Sequence, residues 1–333
     1  MNELSFTALM HLTALTPTQL VINRPHTKIY AHHHHYTTDI IYRIIQLGGE
    51  NNVHETFTIE LPYEELGIKQ QGSATITTYI KDVFPKDQDP FRRPLIVICP
   101  GGGYNHHSPR EGEAIAIKML DMGYNAVVLR YSLAPVTYPA QLFEAAYTMK
   151  YVRDNAAEWD VDADKIIIAG FSAGGHVAGL LGTGWNSKRL DYLLENVLHC
   201  SHEYVKPDGM LLGYPVITSG IDAHRASFER SLGEKYDEFI DEVSIEKRVD
   251  KDTPPAFIWH TCEDKTVPLE NSLLMVEALR KQEIPFDYHV YAKGTHGLGL
   301  GTRETATKNM GHYEPQVSSW TECFKQWMGV MYE

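Results

Sequence analysis

The sequence is poor in cysteine and in positive charge, and it lacks a long uninterrupted apolar run. Its 333 residues include four cysteines, which are far apart and show no CxxC spacing, so neither a disulfide framework nor a zinc site is expected. Lysine and arginine number 30 against 43 aspartates and glutamates. The formal net charge of −13 disfavours nucleic acids and anionic membranes as partners. No stretch approaches the roughly 18 apolar residues of a membrane span, and the first residues lack the basic region of a signal peptide. We therefore expect a cytoplasmic protein.

The chain divides by pattern into a short first segment and one long domain. Residues 1–52 are rich in threonine and histidine, include the tract His32–His35 and show little periodicity, which predicts a loosely ordered extension. Whether the tract binds a ligand stays open. Residues 53–333 predict one catalytic domain. Within it, the charged, helix-prone stretch 221–252 is interpreted as a small lid-like insertion over the active site.

Short apolar runs alternate with helical patterns along the long domain. Thr56–Leu61 and Ala74–Lys81 alternate between polar and apolar residues, as antiparallel strands at an exposed edge do. The following runs are apolar on both faces, which is typical of parallel strands covered by helices: Leu95–Cys99, Ala126–Tyr131, Lys165–Ala169, Met210–Tyr214, Ala256–Thr261 and Phe286–Tyr291. Strand and helix alternation predicts the α/β class, with a mostly parallel, doubly wound sheet and helices on both faces.

Residues 170–174 read Gly-Phe-Ser-Ala-Gly, a GxSxG motif between an apolar strand and a helix rich in small residues. A tight strand-to-helix turn lifts the serine hydroxyl out of the sheet, and glycines on both sides let the strand and the helix approach each other. The motif predicts Ser172 as a nucleophile. A simple glycine-rich turn is the alternative interpretation.

A second glycine-rich loop, Pro100–Tyr104, directly follows the strand Leu95–Cys99. Its backbone N–H groups, together with the amide after the nucleophile, can form an oxyanion hole that stabilises a tetrahedral transition state. The alternative is a phosphate-binding loop. It is disfavoured because no GK[ST] follows and the later glycine of GxGxxG is absent.

A serine nucleophile needs a base and an acid that orients the base. His296 lies in a Gly-Thr-His-Gly loop past the last apolar strand, and Asp264 follows the strand Ala256–Thr261. Like Ser172, both follow the carboxyl end of a strand, where an open α/β sheet places its ligands. Glu263 is the alternative acid.

These motifs give the chain a family resemblance. From about residue 56 to the end it resembles the α/β-hydrolase superfamily, in particular the esterase branch of hormone-sensitive-lipase-like carboxylesterases and bacterial acetyl-xylan and feruloyl esterases. The motifs that match are PGGGY, GFSAGG, the DxxVP that starts at Asp264 and the GTHG around His296. The resemblance implies Ser172 as nucleophile, His296 as base and Asp264 as its orienting acid, with oxyanion-hole amides from Gly102, Gly103 and Ala173. Pro100 stands where the lipase-like branch usually has histidine, which favours the carbohydrate-esterase-like group.

These observations lead to a functional prediction. We expect a serine carboxylesterase that hydrolyses short-chain acyl esters, with acetyl groups on xylo-oligosaccharides or related sugars as the favoured substrate. Neither a metal nor a cofactor is expected. Tyr104, Tyr214 and Trp185 are candidates for aromatic walls of a substrate pocket, with a place in the core as the alternative for each.

Three alternative functions stay open. A peptidase of the prolyl-oligopeptidase type is disfavoured because the chain has no room for the large accessory domain of such enzymes. A non-catalytic binding module is disfavoured because the expected catalytic residues and the glycine loop are all present. A long-chain lipase is disfavoured because the insertion 221–252 lacks a broad apolar face. The sequence does not determine the oligomeric state, and a homo-oligomer is possible.

Overall fold

The computed structural model describes residues 54–82 and 92–332. The predicted N-terminal extension at 1–52, with its histidine tract, lies outside the described residues. Eight strands of the described part form one sheet: β1 (Thr56–Thr58), β2 (Thr75–Tyr79), β3 (Arg93–Cys99), β4 (Asn125–Arg130), β5 (Val161–Phe171), β6 (Gly209–Gly213), β7 (Ala256–Thr261) and β8 (Phe286–Tyr291). The α-helices in the same ranges are α1 (Glu113–Asp121), α2 (Ala140–Asn155), α3 (Ala173–Gly182), α4 (Arg225–Leu232), α5 (Tyr236–Phe239), α6 (Glu270–Lys281) and α7 (Trp320–Tyr332).

The strands lie in the order β1-β2-β4-β3-β5-β6-β7-β8. β1 and β2 pair antiparallel, as do β2 and β4, whereas every neighbouring pair from β4 to β8 is parallel. Parallel neighbours require crossover connections, and helices supply most of them. This topology confirms the predicted mostly parallel, doubly wound sheet.

Helices cover both faces of the sheet, and side chains along one strand alternate between the two. In β3, Leu95 and Val97 face the core that includes residues of α2, α3 and α6, whereas Ile96 and Ile98 face the core that includes residues of α1 and α7. All four side chains are fully buried. A central strand must therefore be apolar on both sides, which is why the sequence showed continuous apolar runs there.

Two strands differ from their predicted exposure. β2 lies between β1 and β4, not at the edge, and residues 76–79 are buried. Its polar side chains are accommodated because Thr77 and Thr78 hydrogen-bond to Thr56 and to the backbone of Glu55. Conversely, β8 is an edge strand with partly exposed side chains on both faces, because only β7 pairs with it.

The stretch 221–252 follows β6 and includes α4 and α5. Several of its apolar side chains, including Phe228 and Val243, are fully buried, whereas Ile221 at its start is exposed. The carbonyl oxygen of Val243 also accepts a hydrogen bond from His176 of α3, at 2.8 Å. The stretch is thereby held against the helix that starts at the candidate nucleophile. That it acts as a lid stays a prediction.

Candidate active site

Ser172 occupies the turn between the last residue of β5 and the first residue of α3. Its backbone angles, φ 54° and ψ −122°, lie in a region that L-residues rarely adopt, so the surrounding structure must hold them. The Ser172 N–H donates to the carbonyl of Gly213 at 3.0 Å, and its own carbonyl accepts from Val216 at 3.0 Å. These bonds tie the strained turn to the end of β6. The structure thus has the sharp strand-to-helix turn that the GxSxG motif predicts.

The glycines of the motif are required by close backbone approach. A Cβ at Gly170 would overlap the carbonyl oxygen of Gly174, and a Cβ at Gly174 would overlap the carbonyl oxygen of Cys99. Backbone atoms cannot move aside as a flexible side chain can. Any larger residue would therefore push α3 away from the sheet and move Ser172 out of place.

The side chains of Ser172, His296 and Asp264 form one hydrogen-bonded chain. His296 Nε2 lies 2.7 Å from Ser172 Oγ, and His296 Nδ1 lies 2.6 Å from Asp264 Oδ2. Because an ionised carboxylate only accepts, the proton of the imidazole resides on Nδ1 and Nε2 accepts from the serine hydroxyl. This arrangement can remove a proton from Ser172.

Asp264 is held as an ion in a buried position, with no exposed side-chain surface. Its Oδ1 accepts hydrogen bonds from the backbone N–H groups of Thr266 and Val267. Burial acts to raise the pKa of Asp264, but hydrogen bonds with His260 and His296 outweigh it and hold this pKa well below its usual range. The carboxylate is therefore charged at neutral pH and can stabilise a protonated His296.

The glycine loop after β3 lies directly against Ser172. The N–H of Gly101 is engaged, because it donates to Glu111 Oε2 at 2.8 Å. Gly102 and Gly103 have φ values of +125° and +62°, and their N–H groups donate to no other residue of the described ranges. Ala173 is the first residue of α3, so its N–H has no intrahelical acceptor. The N–H groups of Gly102, Gly103 and Ala173 are thus left without an acceptor in the described ranges.

The three aromatic pocket candidates lie in different places. The Tyr104 ring is buried, and its hydroxyl bonds His176 Nδ1 at 2.6 Å. Tyr214 is buried and its ring packs against the His296 ring, with the two centroids 5.0 Å apart. Trp185 follows α3, at the end of that helix that is distant from Ser172, and its indole N–H donates to the carbonyl of Asp252. The structure therefore brings Tyr214 to the site and places Tyr104 and Trp185 in the core.

Two site residues escaped the sequence analysis. Glu111 is buried and accepts from Gly101 through Oε2 and from the Tyr214 hydroxyl through Oε1, at 2.8 Å each. His260 is also buried, and its Nε2 lies 3.3 Å from Asp264 Oδ2. Glu111 precedes α1 in a charged run, and His260 sits inside an apolar strand. Neither position carries a motif that distinguishes it from a structural residue.

The four cysteines are free; Cys99 is buried, Cys200 and Cys323 are partly buried, and Cys262 is exposed. Within residues 54–82 and 92–332, no group of three histidine, cysteine, aspartate or glutamate side chains is arranged to hold a metal ion. None of the helices in these ranges combines the length and apolarity of a membrane span.

Comparison with known sequences shows where the chain is similar to characterised proteins. The sequence model of the BD-FAE family matches residues 82–279. The chain is 37% identical over 221 residues to endo-1,4-β-xylanase B of Butyrivibrio fibrisolvens, covering 65% of this chain and 34% of that protein. It is 27% identical over 244 residues to an acetylxylan esterase of Xylanibacter ruminicola, covering 71% and 46% respectively. The chain thus spans a third to a half of the length of these curated relatives.

Solved structures show the same similarity over nearly their whole length. An acetyl ester-xyloside bifunctional hydrolase from Caldicellulosiruptor lactoaceticus superposes with a TM-score of 0.71 at 31% identity, covering 85% of this chain and 98% of that one. MGS-M1, an α/β-hydrolase enzyme from a Medee basin deep-sea metagenome library, superposes with a TM-score of 0.62 at 32% identity, covering 84% and 98%. These likenesses confirm the α/β-hydrolase fold.

Proposed function

The chain belongs to the BD-FAE family, and we propose that it is a serine carboxylesterase that removes short acyl groups, above all acetyl groups from xylo-oligosaccharides or related sugars. The observation that carries this proposal is the hydrogen-bonded chain from Ser172 through His296 to Asp264. The similarity of the chain to an acetylxylan esterase and to an acetyl ester-xyloside bifunctional hydrolase supports the choice of substrate.

The first half of the reaction forms an acyl-enzyme. Ser172 Oγ attacks the ester carbonyl carbon while His296 Nε2 takes the hydroxyl proton, and Asp264 stabilises the resulting imidazolium. The carbonyl oxygen becomes an oxyanion that accepts hydrogen bonds from the N–H groups of Gly102, Gly103 and Ala173. When the intermediate collapses, the bond to the alcohol oxygen breaks and His296 returns the proton to that oxygen.

The second half of the reaction repeats these steps with water. His296 takes a proton from a water molecule as its oxygen attacks the acyl carbon, and the same three amides stabilise the second oxyanion. The bond to Ser172 Oγ then breaks, and Oγ recovers its proton from His296. The products are a free carboxylic acid and the restored enzyme. No step requires a group beyond the side chains and amides named here.

Replacement of the nucleophile tests the proposal. We expect Ser172→Ala to lower kcat on 4-nitrophenyl acetate and on acetylated xylo-oligosaccharides by about 10⁵-fold or more, as removal of a serine nucleophile does elsewhere. A fluorophosphonate should add its mass to the wild-type protein and leave Ser172→Ala unlabelled.

The exposed Ser319→Ala variant serves as the matched control, and it should keep both the activity and the labelling. Wild-type activity in Ser172→Ala would contradict the proposal. So would cleavage of an aminoacyl-proline anilide in preference to the esters, which would favour a peptidase.

A further inference from the structure

Three polar side chains, two from α4 and one from the residue that precedes it, lie against the glycine loop. His224, Ser227 and Arg230 are spaced by three residues, so they project from the same side of the helix. Measured from the position that a Cβ on Gly103 would take, Arg230 Nη1 lies at 3.1 Å, Ser227 Oγ at 3.7 Å and His224 Cε1 at 3.8 Å. These three side chains, here called the α4 wall, therefore flank the residue that offers one of the proposed oxyanion donors.

Arg230 is the charged member of the α4 wall, and most of its hydrogen-bonding capacity is unused. Its Nη1 donates to the carbonyl of Gly103 at 3.1 Å, which fixes the guanidinium beside the loop. No carboxylate of the described residues pairs with it, and Glu242 from the same segment pairs with Arg189 instead. Arg230 is exposed and is held beside Gly103, so its remaining N–H donors are free to bind a ligand next to the glycine loop.

The other two members of the α4 wall supply neutral hydrogen-bonding groups. His224 Nδ1 and Ser227 Oγ lie 2.8 Å apart. Burial, and next the neighbouring His296, lower the pKa of His224, so this imidazole is uncharged at neutral pH. The positive charge of the wall therefore comes from Arg230 alone. A planar guanidinium presents paired N–H donors that match the two oxygens of a carboxylate.

We propose that Arg230 binds a carboxylate of the substrate, which makes the site selective for acyl esters that carry an acidic group near the scissile bond. This inference rests on the proposed esterase function and deepens it. The carboxylate has two sources: the alcohol part, as in an acetylated uronic acid residue, or the acyl part, as in a hemiester of a dicarboxylic acid. Ser227 is buried and holds the half-buried His224 ring through its hydroxyl, so His224 is the member of the wall that can hydrogen-bond a hydroxyl group beside that carboxylate.

Two pairs of substrates, each differing only in the carboxylate, test the proposal and separate the sources. For the alcohol side, the monoacetylated methyl glycoside of glucuronic acid, with its carboxylate free, is compared with the monoacetylated methyl glycoside of glucose. The 4-nitrophenyl ester of succinate is compared with that of its monomethyl ester for the acyl side. We expect the wild type to show a higher kcat/KM on the acidic member of at least one pair. That preference should fall as sodium chloride rises from about 20 mM to about 500 mM, because the guanidinium is exposed.

Arg230→Met should remove the preference, with an increase in KM of about tenfold or more on the acidic substrate and a change within about threefold on its neutral partner. Arg230→Lys should keep part of the preference, since the charge stays but the planar fork is lost. Arg225→Met is the matched control, because it removes an exposed arginine from the same helix but five positions away, on a different face.

The outcomes distinguish this inference from the proposed function. An equal loss of kcat on acidic and neutral substrates in Arg230→Met would mean that Arg230 only holds Gly103, and it would overturn the inference. Absence of an acidic preference in both wild-type pairs would overturn it as well. Failure of the proposed function would instead appear as wild-type inactivity on the neutral members.

Discussion

At the scale of single residues, Asp264 shows how one carboxylate can serve two imidazoles. Backbone N–H groups of Thr266 and Val267 both bond Oδ1, which leaves Oδ2 to face His296 and His260. His260 is itself fixed, because its Nδ1 bonds the Ser272 hydroxyl at 2.7 Å. Its Nε2 donates to the carbonyl of Val267 at 3.0 Å and lies 3.3 Å from Oδ2, so we expect His260 to help hold the carboxylate toward His296. Rotation of the carboxylate away from His296 would break hydrogen bonds at both of its oxygens.

Replacing Asp264 by asparagine should disable the base without removing it. An amide N–H facing Nδ1 of His296 would favour the tautomer that carries its proton on Nε2, which cannot accept from Ser172. We expect Asp264→Asn to lower kcat on 4-nitrophenyl acetate by about 10⁴-fold at neutral pH. Glu263→Gln is the matched control, since this neighbour is exposed and should change kcat by less than about threefold. A larger loss in Glu263→Gln than in Asp264→Asn would reverse the assignment of the acid.

At the scale of elements, one buried carboxylate connects three parts of the site. Glu111 bridges Gly101 of the loop after β3 and Tyr214, which follows β6. The Tyr214 hydroxyl in turn accepts from the N–H of Gly299, at 2.9 Å, in the segment that carries His296. Burial, and next the negative charge of Glu111, raise the pKa of Tyr214 well above its ordinary value. The phenol therefore stays protonated and keeps donating to Glu111.

Tyr214→Phe tests whether this bridge positions the base. The phenyl ring still packs against His296, but Glu111 and Gly299 lose a hydrogen-bond partner. We expect kcat to fall about tenfold with KM within about twofold, since a small displacement of a reacting group is costly. The free energy of unfolding should fall by about 1–3 kcal/mol. Tyr291→Phe is the matched control, because it removes a hydroxyl that bonds exposed Ser319. Loss of stability with an unchanged kcat would limit Tyr214 to a structural role.

The sequence predicted the positions of the helices and strands better than their exposure to solvent. Ser172, Asp264 and His296 could be selected together because each follows a strand, and the carboxyl ends of parallel strands meet at one edge. Their catalytic roles stay predictions. The burial of β2 could not be predicted because its threonines find hydroxyl and backbone partners only after β1 and β4 have paired with it. The contacts of Glu111 could not be predicted, since no sequence pattern reports that Gly101 and Tyr214 converge on it.

At the scale of the whole molecule, a second buried carboxylate connects the antiparallel end of the sheet to the parallel part. Glu144 of α2 is fully buried and accepts from the Tyr63 hydroxyl, at 2.8 Å, and from the Ser132 N–H, at 2.7 Å. The Ser132 hydroxyl also accepts from the Ser73 N–H, at 2.9 Å, just before β2. Burial raises the pKa of Glu144 to about 7 although the bonds from Ser132 and Tyr63 oppose this rise.

This raised pKa predicts how the stability of the whole protein depends on pH. A carboxyl group with a higher pKa in the folded state favours folding in its protonated form. Its contribution is therefore fully present below about pH 4.5 and is lost as the pH rises through about 7. The loss should be of the order of 3 kcal/mol, because one pKa unit corresponds to about 1.4 kcal/mol. Urea unfolding of the wild type and of Glu144→Gln between pH 4.5 and pH 7.5 measures this difference.

The exposed Glu60→Gln variant is the matched control, and its curve of unfolding free energy against pH should run parallel to that of the wild type. The Glu144→Gln curve should gain on the wild type as the pH rises, even if the amide lowers stability at every pH. Parallel curves for Glu144→Gln would show that this carboxyl group titrates alike in the folded and unfolded chains.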